Sequence, residues 1–108
     1  DTPASHWLLK SVAHCLYMDT LLQHFPHAAM VMTHRQLDKV LPSFCSMLWA
    51  LSHVYFEEDN ANNRDIVSAR TLQYIDQMIK SIVEFRTRRS DLNQQILDIS
   101  YDELMQQP

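Results

Sequence analysis

The chain contains no glycine among its 108 residues, and that absence constrains its fold more than any residue it does contain. Glycine is the residue that takes positive φ without steric cost. The primed two-residue hairpin turns, the glycine-rich phosphate loops, the dinucleotide fingerprint and the nucleophile elbow are therefore all closed to this sequence. Helices joined by capped ends need none of these. Apolar residues at 46% and charged residues at 20% suit a globular domain, and a chain this long can build one core without a disulfide or a metal. The expectation is a single helical domain over residues 1–108. Its first residues, Asp1-Thr2-Pro3-Ala4-Ser5-His6, have neither an initiating Met nor a signal-peptide pattern, which reads as excision from a longer, intracellular chain of the cytoplasm or nucleus.

Hydrophobic periodicity points to an all-α fold, a compact bundle of about five or six helices, with a slice of an α-solenoid as the alternative. Leu8, Val12, Cys15, Leu16 and Leu22 form a stripe on a first helix from Ser5 to about His24, which Phe25-Pro26 ends. Asp19 interrupts that stripe and needs either solvent or a partner. Residues 26–33 form a connection. Thr33-His34-Arg35-Gln36 fits a capping box, so a short helix is expected at 34–41, broken at Pro42, with another from about 43 to 57. That second helix is apolar nearly all round, with Phe44, Cys45, Met47, Leu48, Trp49, Leu51, Val54, Tyr55 and Phe56, and is expected at the centre of the bundle. The clearest helix is 64–88, with Val67, Thr71, Tyr74, Ile75, Met78, Ile79, Ile82 and Val83 on one stripe and Asp76–Lys80 and Glu84–Arg88 at i, i+4. Ser90 is expected to cap a helical segment carrying Leu92, Ile96 and Ile99, and Ser100-Tyr101-Asp102-Glu103 forms a second capping box with an Ile99–Leu104 staple.

Function is approached by elimination. The formal net charge is −4, and the densest basic cluster, Arg86, Arg88 and Arg89, sits where cations complement a helix C-terminus, so no nucleic-acid ligand is expected. The longest apolar run, Phe44–Phe56, is too short to span a bilayer. Six histidines and two cysteines lack metal-ligand spacing, and Cys15 and Cys45 read as reduced thiols. No cofactor, metal, paired carboxylate or Cys/His nucleophile stands out. What remains is a non-enzymatic interaction module that accepts a peptide or amphipathic helix, or self-associates as a homodimer, through an apolar helix face. Trp49, Tyr55 and Phe56 are its expected anchors, with Trp7 as a further candidate, and Glu57, Glu58 and Asp59 form an acidic rim. A structural scaffold segment and a small-molecule or lipid bundle lined by Met18, Met47 and Met78 are the alternatives.

Overall fold

The computed structural model describes residues 5–54 and 61–106. In chain order they form a 3₁₀ turn at Val12–Leu16, helix α1 at Met18–His24, strand β1 at Met30–His34, helix α2 at Leu37–Ser52 and helix α3 at Ala61–Arg88. A second 3₁₀ turn at Ser90–Gln95, strand β2 at Ile96–Ser100 and helix α4 at Tyr101–Gln106 follow. The two strands pair in parallel, Met30 opposite Ile96 through His34 opposite Ser100. The all-α bundle and the solenoid slice are therefore corrected to a mixed α/β fold. Parallel strands need a long crossover, and here α2 and α3 supply it.

The strand segments escaped periodicity for a physical reason. Each strand is five residues long, and its partner lies across the whole of α2 and α3, so the stabilising contact is non-local. Thr33 lies in β1 opposite Ile99 of β2 instead of capping a helix, and Gln36 is the N-cap of α2 without a side-chain cap bond. Ile96 and Ile99 sit in β2 rather than on a helix, and Arg89 rather than Ser90 precedes the second 3₁₀ turn. The capping box at Ser100 does form. Glu103 N–H donates to Ser100 Oγ at 3.2 Å, and Ser100 N–H donates to Glu103 Oε2 at 3.0 Å.

Three helical expectations are also corrected. The first helix is interrupted at Tyr17 (φ −130°, ψ 33°), and only Met18–His24 is α-helical, so Leu8 is 96% exposed while Leu22 is buried. Pro42 does not break α2. Its ring is solvent-exposed, where water can satisfy the carbonyl one turn back that loses its donor, and Phe44 holds the next turn by stacking on Tyr74 at 6.4 Å. Nor is α2 central, since none of its residues is buried. Helix α3 matches its expected span closely, as does the short α4 after the Ser100 cap, and Lys80 donates to Asp76 at 2.7 Å as expected. Arg88, however, reaches Asp19 at 2.5 Å instead of pairing with Glu84, which gives that exposed carboxylate its partner.

The core lies where the sheet meets α1 and the C-terminal half of α3. Met18, Leu22, Phe85 and Ile96 are buried together, with Met30, Met32 and Ile82 packed against them. Residues paired across the strands share a face. The inner face therefore runs from Met30 and Ile96 through Met32 and Asp98 to His34 and Ser100, apolar at one end and polar at the carboxyl end. The outer face carries Val31 and Leu97, both more than half exposed. Outside the core, large apolar side chains remain uncovered, among them Trp7 at 85%, Leu8 at 96% and Val54 at 82% exposure.

Candidate functional site

Both strands end at the same edge of the molecule, and a cleft of about 600 Å³ opens there, lined by His34, Arg35, Gln36, Lys39, Ser100, Tyr101 and Asp102. Ligands of parallel α/β sheets bind outside the carboxyl ends of the strands, where each chain leaves the sheet and enters a helix. Here β1 leads through Arg35 and Gln36 into the 16-residue α2. The first amides of a helix have no intrahelical acceptor and carry the positive end of the macrodipole. Among the described residues no side chain caps α2; the Lys39 amide donates to the Gln36 carbonyl at 3.1 Å, and those of Leu37 and Asp38 precede it.

Arg35 lies with its guanidinium carbon 4.4 Å from the centre of the Tyr101 ring. A cation over a ring face is held by the ring's quadrupole, and a single ring cannot use all five N–H groups of a guanidinium. None of them is tied to a carboxylate among the described residues. Lys39, one helical turn further on, has Asp38 at 3.8 Å, with both side chains well exposed. Arg35, Lys39 and the open α2 terminus together suit an anion.

Behind the cleft the polar end of the inner face is locked by charge. Arg86 on α3 donates to both oxygens of Asp98 at 2.9 Å and to Asn93 Oδ1 at 2.9 Å. Arg86 and then His34 hold the Asp98 carboxyl down at about 2. That carboxylate is ionised at neutral pH and can only accept, so His34 Nε2 is the donor in their 2.6 Å hydrogen bond. Burial pushes the Cys15 thiol up, which makes it a poor nucleophile, and both cysteines are free. The described residues contain no group of three or more potential metal ligands and no helix long and apolar enough to cross a membrane.

The site expected from sequence lies elsewhere. Trp49 is half-buried at the far end of α2, edge-on to His53 at 4.8 Å and with Arg64 over its ring at 5.3 Å. Tyr55, Phe56, Glu57, Glu58 and Asp59 lie outside the described residues. Trp7 is 85% exposed. Met18 is in the core, Met47 is exposed, and Met78 lines neither this cleft nor a second groove, between α2 and α3, that Leu48, Ile66, Arg70 and Tyr74 line, so the three build no common cavity at those two places.

The geometry defines a strand-end, anion-directed cleft in an α/β fold. Residues 1–108 match the Sulfotransferase family over their whole length, and the chain belongs to that family. No curated protein and no solved structure matches it. The match overturns the expectation of a non-enzymatic interaction module or scaffold, because the family name denotes transfer of a sulfate group. Neither a glycine-rich loop nor a ligand cluster marks the cleft in the sequence. The cation at the cleft mouth stands instead on a strand-to-helix step, where His34-Arg35 follows β1 and Lys39 follows one turn into α2.

Proposed function

We propose that the protein serves sulfuryl transfer and that the strand-end cleft holds the negatively charged sulfate-bearing ligand. In that reaction an acceptor oxygen forms a new bond to sulfur while the donor oxygen leaves with its electron pair, and the acceptor hydroxyl gives up its proton. Negative charge lies on the sulfuryl oxygens throughout and grows on the departing oxygen. Fixed cations and N–H donors aimed at that charge lower the barrier without reorganising. Arg35 offers a planar fork, Lys39 a mobile point charge and the start of α2 the amides of Leu37 and Asp38, while the Tyr101 ring holds the guanidinium over its face.

The observation that carries this reading is Arg35, held over the Tyr101 ring and free of ion pairs among the described residues, at the point where the parallel strands give way to α2. Titration of sulfate into isotopically labelled protein tests it. Amide shifts are expected to cluster at His34–Lys39 and Ser100–Asp102, and Arg35→Ala is expected to remove them. Shifts centred on the α2–α3 groove around Arg70 would overturn the assignment. For the reaction itself, Arg35→Ala is expected to raise KM for an activated sulfate ester roughly tenfold or more, the scale of one charge-assisted contact.

A further inference from the structure

His34 belongs to two arrangements at once. It lines the cleft, and its Nε2 donates to Asp98 on the inner face of the sheet. Because Nε2 carries the hydrogen of that bond, the neutral ring has its lone pair on Nδ1, which engages no partner among the described residues. A lone pair repels an anion's oxygen. Protonation turns the same atom into a second donor while the Nε2 bond to Asp98 persists, so one proton changes both the sign and the hydrogen-bonding sense of the ring.

The surrounding charges do not cancel this change. Asp98 on β2 is already balanced by the two-pronged contact from Arg86 on α3. On α2, Lys39 stands near Asp38, and Arg35 precedes that helix with no ion pair among the described residues. On α4, Glu103 is bound to Ser100, leaving Asp102 and the Tyr101 hydroxyl at the cleft wall. A positive charge on His34 therefore adds to a site that already carries Arg35 and Lys39.

We propose that His34, positioned by Asp98, makes anion capture in this cleft proton-coupled: the cleft holds a sulfate group more tightly when the imidazole is protonated and lets it go more readily when it is neutral. The proposal rests on the reading of the cleft as the anion site. Histidine is the side chain suited to such a switch, because its charge ordinarily changes near physiological pH. By linkage the bound anion favours the protonated ring as much as the proton favours the anion.

Sulfate is the appropriate probe because its charge is constant through this range, whereas that of a phosphate monoester changes near pH 6. Calorimetric titration of sulfate into the full protein at constant ionic strength should show roughly fivefold tighter binding at about pH 5.5 than at about pH 8, the effect of one added charge in a solvent-screened cleft. His34→Gln keeps a donor for Asp98 but cannot titrate, and should bind with the same affinity at both pH values. In the unmutated protein, saturating sulfate should raise the midpoint at which the His34 ring proton resonance titrates, a readout that requires no variant to fold. A pH-independent affinity, a pH dependence that survives His34→Gln, or a midpoint indifferent to sulfate would each overturn proton coupling while leaving Arg35 as the anion's anchor. Absence of sulfate binding at both pH values would overturn the cleft reading and this proposal together.

Discussion

The two ends of α2 are built on opposite plans. At its start, the strand-end cleft gathers His34, Arg35, Lys39 and Asp102 around an open helix terminus, braced from behind by Asp98 and Arg86. Toward its end, a smaller groove of about 440 Å³ between α2 and α3 is walled by Leu48, Ile66, Val67, Thr71 and Tyr74, with Arg70 at its edge. The groove is what helical periodicity alone produces, two apolar stripes meeting. The cleft exists only because two strands far apart in sequence pair in parallel and bring their outgoing turns together. The proposed function follows the non-local pairing, while the local pattern points to the other end.

If that contrast is right, the cleft should be far more sensitive than the groove to loss of the packing beneath the sheet. Phe85 is 3% exposed and joins α3 to Met18, Leu22 and Ile96. Phe85→Ala should cost about 3–5 kcal/mol and abolish sulfate binding along with cooperative unfolding in urea. Leu48→Ala in the half-buried groove should cost about 1–2 kcal/mol, from partial loss of one apolar contact, and leave sulfate affinity unchanged. Equal losses at the two positions would remove the distinction between them.

How far the sequence revealed these two ends follows from the same difference. Helix α3 was legible because its stripe repeats over many turns, and the Ser100–Glu103 box was legible because both partners lie within one turn. The groove's Leu48, Val67 and Tyr74 were recognisable as apolar helix faces. Strands β1 and β2 were not, since five residues carry little periodicity and Met30-Val31-Met32 reads equally as a helical turn. Arg35 was read as the third residue of a capping box that does not form, and Arg86 as a dipole-complementing cation, although its main partner is Asp98. Each misreading assigned a local partner to a residue whose contacts are made across the fold.

The brace behind the cleft gives the next largest effects. Arg86→Met removes both arginine donors from Asp98, leaving the His34 bond, and should destabilise the protein by about 1–2 kcal/mol, the scale of a charge-assisted bond in a partly exposed pair. The sign of the pH effect follows from the depressed Asp98 pKa. The carboxyl falls from its ordinary 3.8 to about 2 in the fold, so its contribution is complete above about pH 4 and is lost as pH falls toward 2. Denaturant midpoints taken across that window should decline in the unmutated protein and lose part of that slope in Arg86→Met. An identical acid limb in both would mean that the brace contributes nothing to stability. At the small end, Asp19→Asn breaks the exposed pair with Arg88 and should cost under about 1 kcal/mol, diminishing further at high salt. A larger, salt-independent loss would place Asp19 in a structural role that its exposure does not support.

The most direct test of the central claim sets one arginine from each end of α2 against the other. Arg35 at the cleft and Arg70 at the groove are both free of ion pairs among the described residues, so they differ in where the fold puts them rather than in chemistry. Sulfate affinity should fall about tenfold or more in Arg35→Ala, the scale of a charge-assisted contact, and stay within about twofold of the unmutated protein in Arg70→Ala. The reverse order, with Arg70→Ala losing sulfate and Arg35→Ala keeping it, would contradict the account by moving the anion site to the helix groove.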